Sequence, residues 1–463
     1  MSSGALPFGT YHRASSLGSG TFGSVIRVYN EEGEEFALKL FSGDDEPEDG
    51  DYDEKKGDSD EEDQQHQRPI DLGTLREISC LRLLRGANAH PNITTLVDVQ
   101  PHWDDDDEAR GAGTSGCLGM ALPIYHAGSL MSALEKRYFY GAPKKTKVVI
   151  AHGILSAIAF LHDNNILHRD LKPDNIMLEC LDEDSGCTWK PILIDFSLAK
   201  PIGDDDDAET EAIGHTGEVG TVTYTAPEIV DREPYGKPSD LWSVGVMLLE
   251  LLQNRPLEAT KDRRAVSFVE DSLKELNFDL PYPHLLRGLL QQDPSKRLTA
   301  RQALEHPLFT EKFGLEVPPV RIINVAEALP LADHDCDQRA GESSRGGKRD
   351  SKMERVLKKR KETIQRLCRE LGCKRAITPI AAYEYCHAMY QLDDTIDNLK
   401  ESQSLLNCVI VAHRFFELDV LDLDELQSEM TGTFEKWTLE DYVDDEATLF
   451  MIVDFCLYPR LCL

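Results

Sequence analysis

The sequence predicts an α+β chain with a small strand-rich lobe, a larger helical lobe and, beyond a polar linker, a separate all-helical region. Three observations carry this prediction. Residues 17–41 alternate in the manner of paired strands. From residue 129 the apolar spacing changes to that of helices. Residues 311–352 lose periodicity and include the Gly/Ser-rich stretch "DQRAGESSRGGKRDSK", after which helical spacing resumes near Ser351.

The elements follow in order. "LGSGTFGSVIRVYN", a turn at "EEGEE" and "FALKLF" make a strand pair joined by a hairpin turn. Residues 44–63 interrupt as an acidic insert. "GTLREISCL" has Leu75, Ile78 and Leu81 on one face of a helix, while adjacent Arg76 and Glu77 must point in different directions. "NITTLVDVQP" and "CLGMALPIY" are expected as two more strands. "TKVVIAHGILSAIAFLHD" is amphipathic, with Val148, Ile154, Leu155, Ile158 and Leu161 near one face. "SDLWSVGVMLLELL" is apolar nearly all round, so it belongs at the centre of the helical lobe. The expected boundaries are 11–126, 127–310, a linker at 311–352 and a helical region at 353–463. That last region holds about five helices, near 353–371, 377–391, 400–417, 422–430 and 439–454, the third being apolar enough to be central.

The 463 residues carry a formal charge of −33. Residues 44–63 (13 acidic, 2 Lys) and the runs at 104–108 and 204–207 supply −20 of it. Such runs repel themselves and are expected as solvated, disordered loops, and they argue against nucleic acid as the main partner. No run of about 18 apolar residues suggests a membrane span, and "MSSGALPFGTYHR" lacks a signal-peptide core. Cys462 is wrongly placed for prenylation. Eleven scattered cysteines without a signal peptide predict reduced thiols and a cytoplasmic or nuclear setting. "KKRK" at 358–361 is expected as a solvated helix face rather than a nuclear signal.

The chemistry lies in five motifs. The glycine run at 17–25 lets backbone close over phosphates without an intervening side chain, a weak signal alone. Lys39 sits inside an apolar strand, where a lone ammonium is costly. "LHRDLKPDN" packs acid, base and amide into one loop. "LIDFSLAK" ends an apolar strand on Asp195, and "GTVTYTAPE" follows. Together, in this order, they resemble the eukaryotic-type serine/threonine protein kinases, which implies the bilobal kinase fold, ATP and Mg²⁺ as cofactors and protein hydroxyls as substrates. On that resemblance Leu17, Gly18, Ser19, Gly20, Thr21, Phe22, Gly23, Ser24 and Val25 cover the nucleotide, beside Ala37. Lys39 contacts the α/β-phosphates and pairs with Glu77. Asp170 accepts the substrate proton, Lys172 steadies the γ-phosphate, and Asn175 and Asp195 hold Mg²⁺. Glu228 pairs with Arg297, and Asp240 anchors the catalytic loop. Ser197 stands where the family has Gly, and Ser restricts φ. An alternative reading is therefore a weakened kinase-fold scaffold that uses its helical tail for binding.

"TLREISCLRLL" with "HPNITTLVDV" resembles the cyclin-dependent kinases, which implies a cell-cycle setting. There the Arg of the helix joins two more basic groups around a phosphothreonine. The matching positions are Arg76, Arg169, Lys200 and Thr216. Departures are "DLG" before the helix, Thr223, Thr225, Gly220 in place of a strained Val, a short region after "NRPL", and Phe22 where the group carries an inhibitory tyrosine. Gly220 and Thr225 imply weak or absent proline preference in substrates.

The helical tail resembles a single cyclin box. Arg414 falls at the family's Lys and Glu446 at its Glu, two groups that bond backbone beside the regulatory helix. Arg keeps the charge but not the geometry. The resemblance implies an activator fused in cis, held by the linker near millimolar effective concentration, or else a separate cyclin or other partner recruited by the tail.

Overall fold

The computed structural model describes residues 11–20, 23–41, 70–103, 117–181, 188–202, 222–231, 236–257, 265–324, 349–371, 373, 378, 381–383, 385–386, 398–416 and 442. The three acidic runs lie outside these residues. The chain divides into two units, one of residues 1–82, 96–123 and 329–459, the other of residues 83–95, 124–328 and 460–463.

The first unit is built on a five-stranded antiparallel sheet. Its strands are β1 (His12–Gly20), β2 (Gly23–Tyr29), β3 (Glu35–Phe41), β4 (Asp98–Trp103) and β5 (Cys117–Pro123), in the order β1-β2-β3-β5-β4. Alternation in "VIRV" and "ALKL" puts Ile26, Val28, Leu38 and Leu40 into one core with Ala121, packed by Tyr11 and Phe36. Gly33, at φ +82°, closes the β2–β3 turn in a conformation that an L side chain rarely adopts. The helix α1 (Leu72–Leu83) begins at Asp71, whose carboxylate accepts from the Thr74 amide at 2.9 Å. Leu75, Ile78 and Leu81 are buried as expected, but so are Thr74, Glu77, Ser79 and Cys80. The apolar spacing reports only one face of a helix that is enclosed on most of its circumference.

The second unit is helical. It contains α2 (Leu130–Glu135), α3 (Lys144–Asp163), α4 (Pro227–Val230), α5 (Lys237–Gln253), α6 (Ala265–Lys274), α7 (Pro281–Leu289) and α8 (Ala300–Leu304). Two short ladders accompany them: β6 (Ile166–Leu167) with β9 (Lys200–Pro201), and β7 (Ile176–Cys180) with β8 (Trp189–Leu193). α5 is the expected central helix, buried from Ser239 through Leu251 except at Ser243. α3 is long and apolar enough by composition to cross a membrane, yet 72% of that window is buried inside the fold, as befits a core helix.

Three expectations need correction. The first strand starts at His12, not Leu17. "NITTLVDVQP" is not one strand: the Leu193 amide, at the end of β8, donates to Asn92 O, the Thr94 amide donates to Leu193 O, and β4 begins only at Asp98. Cys180 is disulfide-bonded, so not every thiol is reduced. Residues 313–324, within the expected linker, run as a strap on the helical unit.

In the C-terminal region α9 (Arg349–Glu370) and α10 (Asn398–Phe416) match two of the expected helices. Ile364, Leu367 and Cys368 of α9 and Leu405 to Ala412 of α10 are buried. Lys358, Lys359 and Lys361 are exposed, the solvated face predicted for "KKRK". Residues 378, 381–383, 385–386 and 442 are helical; the rest of the expected helices lie outside the described residues.

His90 stacks on Phe160 at 5.0 Å and meets the Ser156 hydroxyl at 3.3 Å. Burial first, then the charges of Arg321 and Arg301, push its pKa down to about 4. The unfolded chain therefore takes up a proton, between about pH 6.5 and 4, that the fold refuses. His90 contributes stability that is present above pH 6.5 and lost as pH falls through this window, about 2 kcal/mol at pH 5. Thermal melts at pH 7 and 5 should show a smaller acid loss in His90→Phe than in the parent chain. Equal losses would contradict the assignment.

Candidate functional site

Two sets of side chains meet the sequence expectations, one in each unit. In the sheet, β3 places Lys39 opposite Val25 of β2 and Met120 of β5. Its Nζ donates to Glu77 Oε2 of α1 at 2.6 Å and lies 5.4 Å from the Phe41 ring centre. Their side chains are 14% and 2% exposed, so the ion pair offsets part of the cost of taking both charges out of water. Gly20 of β1 pairs with Gly23 of β2, which brings the glycine run to the tip of this hairpin. Leu17 is exposed, Ser24, Val25 and Ala37 are half-buried, and a Cβ added at Gly18 would meet nothing within 4 Å. That open side is where backbone can approach a ligand. Thr21 and Phe22 lie outside the described residues.

In the helical unit the loop after β6 is organised by Asp240 of α5. Its carboxylate accepts from the amides of His168 and Arg169, each at 3.0 Å, and from His162 Nε2 at 2.9 Å. Burial would raise its pKa, but these bonds and the neighbouring imidazoles hold it below the usual carboxylate range. His168 is fully buried, which keeps its pKa low, and its ring meets Phe196 edge-on at 5.0 Å. Arg169 takes the left-handed φ of 67°, a conformation retained only where neighbours over-determine it. Its Nε also donates to Leu198 O at 2.8 Å.

The next residue, Asp170, accepts from Lys172 Nζ at 2.8 Å and Asn175 Nδ2 at 2.9 Å. Asn175 Nδ2 also reaches the Asp170 carbonyl at 2.8 Å. With its nitrogen so engaged, the amide oxygen of Asn175 is the donor atom left to a cation. Asp195 follows β8 at φ 60°. The acid, the lysine, the amide and the second carboxylate thus come from one loop and the strand end beside it.

Such a constellation, set after a Lys–Glu pair earlier in the chain, invites comparison with known proteins. The family described as protein kinase domain matches residues 11–309. The chain belongs to that family. The calcium/calmodulin-dependent protein kinase type 1 of Caenorhabditis briggsae is 36% identical over 239 residues, covering 50% of this chain and 58% of the relative. The chain thus spans just over half the length of that relative. Its sheet lobe and helical lobe are those of the bilobal kinase fold.

Within this kinase fold, Ser197 corrects the expectation of a hindered backbone. Left-handed φ falls on Asp195, and Ser197 has no positive φ. Glycine is therefore not required at 197. Instead the Ser197 hydroxyl donates to Asp195 Oδ1 at 2.7 Å and its amide at 3.2 Å, which fixes the carboxylate. Glu228 and Arg297 form the expected buried pair, bidentate at 2.8 and 3.0 Å, with the guanidinium 5.3 Å from the Trp242 ring. Of the expected basic trio, Arg76 is half-buried on α1. Arg169 and Lys200 belong to the helical lobe, where Lys200 is buried and pairs with Leu167 of β6. Thr216 and Glu446 lie outside the described residues.

Sequence reading missed Glu250. Fully buried on α5, it accepts from the Tyr224 hydroxyl at 3.0 Å and the Leu257 amide at 2.7 Å. Burial pushes its pKa up to about 7 against those hydrogen bonds. It ties the turn before "APE" to the central helix. The only signal was an acidic residue within an apolar run.

Asp195 brings a carboxylate and Asn175 an amide oxygen, hard donors of the kind that suits Mg²⁺, which takes few protein ligands. If Ser197 merely steadies Asp195, Ser197→Ala should keep phosphotransfer within about tenfold of the parent, the worth of one hydrogen bond. Asp195→Asn should lose roughly 10²–10³-fold. Initial rates at saturating ATP check both. A Ser197→Ala variant as inert as Asp195→Asn would overturn this role.

Proposed function

We propose that this chain is an ATP- and Mg²⁺-dependent protein kinase acting on serine and threonine hydroxyls. The observation that carries the proposal is the 2.6 Å pair of Lys39 and Glu77, an ammonium held ready in a sheet beside an open glycine hairpin. Lys39 binds the α/β-phosphates with Glu77 fixing its position. Asp170 accepts the proton of the substrate hydroxyl as that oxygen attacks, and Lys172, 2.8 Å from it, neutralises charge on the transferred group. Asn175 and Asp195 hold the metal, which supplies charge neutralisation at the phosphates. The left-handed backbone at Asp195 and the Ser197 clamp favour this reading over a disabled scaffold, because the metal-binding carboxylate is already oriented.

The finer reading is regulation in cis by the C-terminal helices, in the manner of a cyclin acting on a cyclin-dependent kinase. What supports it is Arg414 of α10. Its Nη2 donates to the Ile70 carbonyl at 2.7 Å, one residue before the Asp71 cap of α1. Its Nη1 donates to the Tyr442 hydroxyl at 3.0 Å. A cation bonded to the backbone at the entry of the helix that carries Glu77 is placed to bias that helix. The family match ends at residue 309, so this reading rests on the contact and on the sequence of α1. The named relative belongs to a calcium/calmodulin-dependent group, and the exposed lysines of α9 fit an acidic protein partner as well.

In an assay on a degenerate peptide library, Lys39→Met should lose roughly 10²–10³-fold in rate. Arg414→Ala should lose roughly tenfold, as expected for a hydrogen bond from a charged donor. The parent should show no strong preference for proline after the phosphoacceptor. A parent-like rate in Arg414→Ala would remove the cis-regulatory reading and leave the kinase reading standing.

A further inference from the structure

Beyond the last helical turn of the matched domain (Leu308–Lys312), residues 316–324 cross the helical lobe as an extended strap. Its own side chains do little of the holding. Val320 and Ile322 are each 62% exposed, and only Ile323 is buried. The lobe instead grips the strap's backbone. His152 meets the Glu316 carbonyl at 2.9 Å, and Arg301, paired with Asp163, donates to the Pro318 and Pro319 carbonyls.

Two buried asparagines complete the grip, each using both ends of its amide. Asn164, which caps α3, donates to Phe160 O at 2.7 Å and Arg321 O at 2.9 Å, and accepts from the Ile323 amide at 2.7 Å. Asn88 donates to Leu83 O and Asn324 O, both at 3.0 Å, and accepts from the Asn324 amide at 2.9 Å. A side-chain amide has the donor and acceptor of a peptide group, so these residues act as short stand-ins for a neighbouring strand.

The position of Asn88 matters most. Leu83 is the last residue of α1, and the turn at Gly86–Asn88 follows it. Arg321 adds a second hold on this turn. Its guanidinium donates to Ala89 O at 3.1 Å and Ala87 O at 2.8 Å and lies 5.6 Å from the Phe160 ring. One buried amide therefore joins the strap to the closing carbonyl of the helix that bears Glu77. Removing the strap would take both Asn324 bonds from that amide and leave only the one to Leu83 O, at a site only 4% exposed.

We infer that the strap is a positioning element for α1, with Asn88 and Arg321 as the positioning residues that transmit it. The strap fixes the end of α1, the helix that carries Glu77. This rests on the reading of Lys39 as the phosphate-binding group. It also gives the start of the linker a fixed origin at the end of α1, while Arg414 holds the backbone before its start.

The test uses the full-length chain and its Asn88→Ala, Arg321→Ala and Lys39→Met variants. Hydrogen exchange and steady-state kinetics are measured on each. Expected for Asn88→Ala and Arg321→Ala are exchange roughly tenfold faster, confined to α1 and residues 84–90, and a KM for ATP raised roughly three- to tenfold with kcat within twofold. Arg321 lies on the strap rather than in the packed lobe, so its variant remains informative if Asn88→Ala fails to fold. Faster exchange spread over α5 as well, or a lower kcat at unchanged KM, is the pattern of general destabilisation and overturns the inference. So does parent-like exchange in α1. If Lys39→Met keeps the parent KM for ATP, the nucleotide reading fails instead, and the exchange result still decides whether the strap holds α1.

Discussion

A buried ammonium and a buried carboxylate can share an apolar setting only by meeting. Lys39 on β3 and Glu77 on α1 satisfy that constraint at 2.6 Å, and much of the sheet lobe follows from it. The sheet must carry Lys39 at one register, opposite Val25 and Met120. α1 must be held so that Glu77, and not Arg76 beside it, faces inward. Removing either partner takes from a buried charge its 2.6 Å ion pair, which is why the pair is a severe local requirement even though its net contribution to stability is small. The adjacent Arg–Glu in "TLREIS" thus has a physical account on the inward side: Glu77 answers a lysine.

The helix that satisfies this constraint is held at both ends by groups outside the sheet. Before it, Arg414 bonds the Ile70 carbonyl and Asp71 caps the first turn. After it, Asn88 joins the Leu83 carbonyl to the strap. The helical lobe is organised on the same principle around a different anion. Asp240 gathers three donors from the loop after β6 and from α3, so Asp170, Lys172 and Asn175 follow in fixed order. Each lobe is thus set by one buried carboxylate supplied by a helix.

Much of this was legible in the residues. Period-two alternation found β2 and β3, and the all-round apolar run found α5 as the central helix. Motif order located Lys39, Glu77, Asp170, Asn175 and Asp195, because phosphoryl transfer needs those groups in that chain order. What escaped was whatever depends on contacts distant in sequence. Asn88 and Asn164 look like ordinary loop residues until the strap backbone is beside them, more than 150 positions away. "NITTL" has the composition of a strand, yet its backbone bonds go to Leu193. Ser197 looked like a restriction on φ because the left-handed residue is Asp195, which only the folded backbone reveals. Glu250 was hidden inside an apolar run, where one acidic residue reads as a blemish and not as the anchor of Tyr224.

The most direct test of the central claim is a double-mutant cycle on ATP·Mg²⁺ affinity by calorimetry, with Lys39→Ala, Glu77→Ala and the double variant. The account predicts strong coupling: each single change weakens nucleotide binding, and Glu77→Ala adds almost nothing once Lys39 is gone. Independent, additive losses would mean that Glu77 acts on nucleotide by some route other than Lys39, and would contradict the account.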